Sequence, residues 1–268
     1  LNDIKRYANV LASSNNILAI EYLKALKRLK SKLLPMGIKR QKVLYNDEFI
    51  VDDFASATAI RRMISRAQFD DIAKVMPRSS YILLAQEIRK GHFVIDLSKF
   101  QREILYRLRT MSIEEIKDIP DVSEGLENAI KNAADSCNSI IDLVNIVKSK
   151  RYTQTRIQRI LIYTLLGITK KNMDTSKKIT PYLRVLGFNK KGKELISEIM
   201  KKNPKTNLVT SVKNFLDTTK NKNLKEMLLK DIEATNIYTL GYESDSWANL
   251  DYTNRIINID ELFKNNKK

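Results

Sequence analysis

Two short segments place small polar side chains at the start of a helix, an arrangement that suits a bound anion. In "SNNILAIEY", Asn15 and Asn16 precede an apolar helical pattern. In "FASATAIRR", Ser56 and Thr58 supply hydroxyls and Arg61 adds a cation one turn further on. Unpaired N–H groups and the helix dipole attract phosphate at such positions. Both segments are candidates for phosphate binding, although simple capping is the favoured interpretation of the two asparagines.

The residues that usually carry enzymatic chemistry are sparse. His92 is the only histidine and Cys137 the only cysteine, so neither a zinc site nor an internal disulfide is predicted. The sequence contains no G-x-S-x-G, P-loop or G-x-G-x-x-G motif. Adjacent carboxylates such as Asp52 and Asp53 would not face each other on a helix. We therefore predict no metal site, and we interpret His92 as a surface or packing residue.

Charge is the strongest compositional signal. The 268-residue chain has a formal net charge of +17. Residues 148–202 contain 15 lysines and arginines against 3 acidic residues, so this segment holds most of the excess. A local bias of this size favours a phosphate-binding surface over a merely solubilising one. No apolar stretch is long enough to span a membrane, and no signal peptide is recognised, which favours a cytoplasmic protein.

The basic segment centres on "RYTQTRIQRILIYTLLG", a predicted helix whose first half carries the cations and whose second half is apolar. The basic residues at its N-terminal end are called the head of this helix. Arg151, Arg156 and Arg159 are the core candidates, and Arg156 and Arg159, three residues apart, share a helical face. Lys150 and Tyr152 precede the helix, where phosphates dock well. Stacking on a base and packing within the chain are equal alternatives for the Tyr152 ring. Further cations extend this candidate RNA-binding surface, namely Lys170, Lys171, Lys177, Lys178, Arg184, Lys190, Lys191 and Lys193.

Low glycine and proline counts and long 3.6-residue patterns predict a mostly helical chain with minor β-structure. "LLPMGIKRQ" is predicted to be a short strand, and residues 69–147 are predicted to be helical almost throughout. Ser112 and Glu115 form a capping-box pattern. "ITPYLRVLGFNKKGKELISEIMKKN" predicts strand, turn and helix. "KTNLVTSVKNFL" and "NIYTLGY" are predicted to be extended, which places a small α/β part near residues 180–242.

Several of these segments together resemble one family. In order they are "SNNILAIEYLKAL", "IKR", "FASATAIR", "SEGLENAI", "KRYTQTRIQRILIYTLLG" and "YLRVLGF". They are similar to the bacterial tRNA(Met) cytidine acetate ligases, of the nucleotidyltransferase superfamily, over nearly the whole chain. The resemblance implies activation of acetate by ATP, with Mg²⁺ carried by the nucleotide, to give acetyl-adenylate. It also implies acetyl transfer to N4 of the wobble cytidine of elongator tRNA(Met), in the cytoplasm.

The same resemblance implies a division of labour along the chain. Residues 1–68 would be the C-terminal part of a Rossmann-like nucleotidyltransferase domain that binds ATP. Residues 69–268 would be a helical tRNA-binding region with the small α/β part. The implied ATP-binding residues are Asn15, Asn16, Lys39, Arg40, Ser56, Thr58 and Arg61. The implied tRNA-binding residues are Lys150, Arg151, Tyr152, Arg156, Arg159, Lys170, Lys171, Arg184, Lys190 and Lys191.

One element of the family is absent from the sequence. With one histidine, the chain cannot contain the H-x-G-H motif that holds the ATP phosphates. We expect that motif and the catalytic residues to precede Leu1, so this chain alone is expected to keep mainly tRNA binding and to be inactive. Two alternatives stay open, a non-catalytic RNA-binding module and a helical protein-interaction domain. Salt-sensitive RNA binding would argue against the interaction domain.

Overall fold

A computed structural model describes residues 7–8, 10–11, 13–38, 54–245 and 247–260. The chain divides into two compact units, Leu1–Met76 and Pro77–Lys268. The boundary expected from the sequence lies between residues 68 and 69. The helix Phe69–Val75, which the sequence analysis assigned to the second part, belongs to the first unit.

The first unit contains three described helices, α1 (Ser14–Arg28), α2 (Ala57–Ser65) and α3 (Phe69–Val75). Helix α2 buries Ala59, Met63 and Ile64, whose spacing places them on one face. Its partner α3 buries Ile72. Helix α1 buries none of its residues. Residues 31–38 form neither helix nor strand, so the strand predicted for this stretch is wrong there. Pro35 lacks the N–H that a strand ladder requires.

Helices dominate the second unit. Their bounds are α4 (Arg78–Arg89), a 3₁₀ turn (Leu97–Phe100), α5 (Gln101–Thr110), α6 (Ile113–Lys117), α7 (Leu126–Ser136), α8 (Ile140–Val147), α9 (Gln154–Leu166), α10 (Lys170–Lys178), α11 (Lys190–Lys202), α12 (Val212–Thr218), α13 (Lys222–Thr239) and α14 (Leu250–Thr253). Helices α5 to α9 share one core, which contains Leu108, Ile130, Leu143 and Leu161. The predicted capping box at the start of α6 is confirmed.

The small β part consists of two parallel pairs of two-residue strands. Its strands are β1 (Leu183–Arg184), β2 (Gly187–Phe188), β3 (Leu208–Val209) and β4 (Ile257–Asn258). Strand β1 pairs with β3, and β2 pairs with β4. The strand, turn and helix predicted over β1, β2 and α11 are confirmed. Two extended predictions are wrong in part. Only residues 208–209 of the first form a strand, and α12 begins at Val212; residues 236–239 of the second are the last turn of α13.

Candidate nucleic-acid interface

Helix α9 buries one apolar face, and the residues just before its first turn lie at the surface. Ile157, Ile160 and Leu161 are fully buried in the main core of the second unit. Thr153 is the residue before the first turn, and Gly167 ends the helix in the left-handed conformation at φ +60°. The apolar half thus fixes the helix, and the residues before its first turn are held at the surface.

Tyr152 lies between two arginines at this surface. The guanidinium carbon of Arg151 is 5.4 Å from the centroid of the Tyr152 ring, and that of Arg156 is 5.1 Å from it. The Tyr152 hydroxyl donates to the carbonyl of Glu124 at 3.2 Å. Cations at these distances are attracted to the ring face. The three side chains form one cluster, with the ring half-buried.

Arg156 and Arg159 both bind the loop before α7. Arg156 donates to the Asp121 carbonyl at 3.0 Å from Nε and 2.6 Å from Nη2, and from Nη2 to Ser123 Oγ at 2.9 Å. Arg159 donates to Asp121 Oδ2 at 3.0 and 2.8 Å. Asp121 has φ +66°, a conformation that aspartate tolerates better than most residues. The two arginines therefore stabilise a loop whose carbonyl and carboxylate face them.

These contacts separate the predicted RNA-binding residues into two groups. Arg156 uses its guanidinium within the chain, whereas the Arg151 side chain is 67% exposed and lies 3.9 Å from a Glu124 oxygen. Arg159 keeps half of its side chain exposed beside Asp121. Lys150 is exposed. The 121–125 loop was not predicted as part of this surface, although Pro120 and Gly125 indicate a turn there.

The remaining predicted cations are spread over other elements. The Lys170 ammonium donates to the Lys117 carbonyl at 2.7 Å, at the C-terminus of α6, where a cation matches the helix dipole. Lys171 is exposed. Lys190 and Lys191 lie exposed in the first turn of α11, and the backbone N–H of Lys190 donates to Asp260 at 2.6 Å. Lys171, Lys190 and Lys191 are thus accessible, but they lie on α10 and α11 and not at the start of α9.

Arg184 occupies a different kind of site. It pairs with Asp251 of α14, and both side chains are mostly buried. Tyr182, two residues earlier, donates its hydroxyl to Asp231 of α13. Burial, together with that carboxylate, raises the pKa of Tyr182 above its usual range. Arg184 also lines a cavity of about 820 Å³ between the two strand pairs.

In the first unit, Ser56 acts as a helix cap. Its hydroxyl accepts from the Ala59 N–H at 3.0 Å, and its side chain is buried. Thr58 is half-buried and Arg61 is exposed in the same helix. Ser56 thus uses its hydroxyl within the helix start, and Arg61 is the accessible cation one turn further on. Asn15 and Asn16 are exposed at the start of α1, and Lys39 and Arg40 lie outside the described residues.

His92 has a packing role, as the sequence suggests. Its ring stacks on Tyr242 with centroids 4.3 Å apart, and Nδ1 lies 2.7 Å from Glu87. Hydrogen bonds from Lys90 and then His92 lower the pKa of Glu87. Within the described ranges, no cluster of three or more metal-binding side chains is found. None of the helices described is long and apolar enough to cross a membrane.

Curated relatives match most of this chain. A tRNA(Met) cytidine acetate ligase of Acetivibrio thermocellus is 40% identical over 256 residues, which is 92% of this chain and 61% of the relative. The protein of the same name from Thermoanaerobacter sp. strain X514 is 40% identical over 261 residues, covering 96% and 62% respectively. The chain therefore spans about three fifths of the length of these relatives.

Solved structures agree with the sequence matches. The crystal structure of Thermotoga maritima TmcAL in its apo form I has a TM-score of 0.84 and 29% identity, over 92% of this chain and 60% of that one. Form II of the same protein, bound with alpha-thio ATP, has a TM-score of 0.82 and 28% identity over the same shares. A family model described as HIGH Nucleotidyl Transferase matches residues 1–251. The chain belongs to the HIGH nucleotidyl transferase family.

Proposed function

We propose that this chain is part of an ATP-dependent acetate ligase that acts on tRNA. In this reaction acetate attacks the α-phosphate of ATP, which gives acetyl-adenylate and pyrophosphate. The N4 amine of the wobble cytidine of elongator tRNA(Met) then takes the acetyl group and releases AMP. The observation that carries the proposal is 40% identity over 92% of the chain to a relative of that name, together with the likeness to TmcAL.

The chemistry requires an activated carboxylate, because the exocyclic amine of cytosine is a poor nucleophile. Adenylation needs cations and N–H donors around the α-phosphate and the departing pyrophosphate. We propose that residues 1–68 supply part of this site through Asn15, Asn16, Lys39, Arg40, Ser56, Thr58 and Arg61. Among the described members, Arg61 has the exposed cation and Thr58 a hydroxyl near the start of α2.

Helix α1 supports the idea that these residues belong to a larger domain. Ile17, Leu18, Tyr22 and Leu23 are exposed on it, each by 46% or more. A soluble helix usually buries one apolar face. The relatives are longer than this chain. We infer that α1 packs against further residues of the nucleotidyltransferase domain in the intact ligase, which would act in the cytoplasm.

The second unit is proposed to hold the tRNA by its phosphates. Its most accessible candidates are Lys150 and Arg151 before α9, Lys171 in α10, and Lys190 and Lys191 in α11. A target base must leave the anticodon stack to reach the adenylate, so a separate basic surface has to hold the rest of the RNA. Used alone, the 268-residue chain would act as an RNA-binding module.

ATP consumption tests the proposed ligase function. The gene product that carries this sequence is incubated with ATP and tRNA, with and without acetate, and pyrophosphate release is measured. Acetate-dependent release is expected, and its absence from a folded, ATP-binding protein would contradict the ligase.

Replacement of Arg61 tests the role of the first unit. We expect Arg61→Ala to lower acetate-dependent pyrophosphate release by about tenfold or more, because a charge-assisted contact to phosphate is lost. Binding of tRNA should stay unchanged. Arg102→Ala is the matched control, since Arg102 is exposed on α5 in the other unit. Unchanged release by Arg61→Ala would remove α2 from the ATP site.

A further inference from the structure

One extended segment in the second unit pairs with two different partners. Residues 183–185 pair with β3, and the last hydrogen bond of that pair runs from Val185 N–H to the Val209 carbonyl at 3.0 Å. From the next residue the segment pairs with β4, because the Ile257 N–H donates to the Leu186 carbonyl at 3.1 Å. The partner therefore changes between residues 185 and 186, and β3 and β4 diverge there.

A cavity lies at this divergence. Its volume is about 820 Å³, within the range that small-molecule sites occupy. Residues that follow β1 and β3 line one side, among them Val185 and Thr210. Residues that connect α14 to β4 line the other side. The cavity lies at the carboxyl ends of β1 and β3, the end of parallel strands at which ligands bind in α/β proteins, and next to the residues that lead into β2 and β4.

The lining combines cations with aromatic rings. Arg255 lines the cavity and has no acidic partner among the described residues. Arg184 is fixed there by Asp251. Tyr252, 41% exposed, and the half-buried Phe188 contribute rings. An arginine without a counter-ion suits a phosphate, and an accessible ring suits a base, since every base has a face that stacks.

The surroundings favour a polymer over a free mononucleotide. Helix α11 begins directly after β2, and its first turns carry Lys190, Lys191 and Lys193, all exposed. Cations beside the cavity can contact the phosphates on either side of a bound nucleotide. A basic track next to aromatic rings is the usual arrangement for binding single-stranded nucleic acid.

We infer that the cavity lined by Arg184, Phe188, Tyr252 and Arg255 binds one unpaired nucleotide of RNA. Arg255 contacts its phosphate, and the Tyr252 ring stacks on its base. Arg184 and Asp251 form an ion pair with no net charge that fixes part of the cavity wall, so Arg255 is the cation that faces the phosphate. The inference rests on the proposed tRNA-holding function of the second unit and adds a site to it, distinct from the head of α9.

Fluorescence anisotropy with a labelled single-stranded oligoribonucleotide of about eight residues tests this site. The full 268-residue chain is used at low salt, without ATP or acetate. Arg255→Ala should weaken binding about fivefold and lower the salt dependence by about one phosphate contact. Tyr252→Ala should weaken it about tenfold through lost stacking. Arg102→Ala and Tyr106→Ala, both exposed on α5, should change affinity less than about twofold.

The outcomes distinguish this site from the ligase function. The inference is overturned if Arg255→Ala and Tyr252→Ala both bind the RNA as tightly as the parent chain while their thermal unfolding is unchanged. It is also overturned if the parent chain does not bind the RNA. Inorganic phosphate and cytidine monophosphate are then compared as competitors of the labelled RNA. If both displace it at the same concentration, the base contributes nothing to binding and the proposed stacking on Tyr252 is wrong. A chain that binds RNA through the cavity but belongs to a protein that consumes no ATP would contradict the ligase alone.

Discussion

Arg156, one of the two arginines beside Tyr152, makes different contacts from those that its position in the sequence suggests. Sequence spacing correctly places Arg156 near the start of a helix, and its positive charge suggests a phosphate contact. In the structure its three hydrogen bonds go to the backbone and side chain of the 121–125 loop. Asp121 is more than thirty residues away in sequence, so helical periodicity cannot reveal this contact. The more exposed Arg151 is the better candidate for contact with RNA.

Replacement of Arg156 should therefore act mainly on stability. We expect Arg156→Ala to lower the free energy of unfolding by about 1–2 kcal/mol, because the Asp121 carbonyl and Ser123 hydroxyl lose a charged donor. Arg151→Ala is the matched control and should change it by less than about 0.5 kcal/mol, since its ion pair is solvent-exposed. Chemical denaturation measures both. Equal stability of the two variants would show that the loop contacts contribute little.

Tyr182 gives a second residue-level prediction, at alkaline pH. Its folded pKa is raised by burial and by Asp231, so the unfolded chain loses this proton first as the pH rises. Stability is therefore full below the unfolded tyrosine pKa of about 10 and falls as the pH increases above it. Tyr182→Phe should lose less stability than the parent across that interval. Tyr106→Phe, at an exposed position, should follow the parent.

At the scale of elements, α9 joins a core-forming half to a basic head. Its buried face is readable from the sequence as Ile157, Ile160 and Leu161. The C-terminal end of α13 was harder to predict from the sequence. The segment "NIYTLGY" is rich in β-branched and aromatic residues, yet its first residues form the last helical turn before Gly241. Packing against α9, α10 and α12 overrides that local preference. The two-residue strands are too short for sequence periodicity to define.

The anchoring role of α9 predicts a sharp contrast between neighbours. Leu161→Ala should cost about 2–5 kcal/mol of stability, because Leu161 is fully buried and its removal leaves a cavity. Ile162→Ala, at a position 42% exposed, should cost less than half of that. Thermal or denaturant unfolding measures the difference. A similar loss at both positions would contradict the division of α9 into a buried face and an exposed one.

For the whole molecule, the excess of positive charge is the property that the sequence predicts most directly. Composition alone suggests an anionic partner and a mostly helical fold. It cannot show that Arg184 pairs with Asp251 in the wall of the cavity between the strand pairs, because that contact joins residues far apart in sequence. The sequence also gives no sign that α2 packs against α3. The boundary between the two parts was therefore expected before α3, whereas the two compact units meet after it. Which cations meet RNA depends on these long-range contacts.

Local contact and overall charge can be separated by salt dependence. Replacing Lys150 and Arg151 together with alanine should weaken tRNA binding and reduce the slope of log affinity against log salt by about 1 to 2. Replacing Lys24 and Lys74 changes the net charge equally, but these exposed lysines lie in the first unit beside Glu21 and Asp71. That variant should keep the parent slope. Equal slopes for both variants would indicate non-specific attraction.

Mass spectrometry of tRNA nucleosides tests the central claim most directly. The gene product that carries this sequence is incubated with ATP, acetate and unmodified elongator tRNA(Met), and the digested tRNA is analysed for N4-acetylcytidine. We predict N4-acetylcytidine at the wobble position only when both ATP and acetate are present. Unmodified cytidine at that position, after incubation with a folded protein that binds both ATP and the tRNA, would contradict the account.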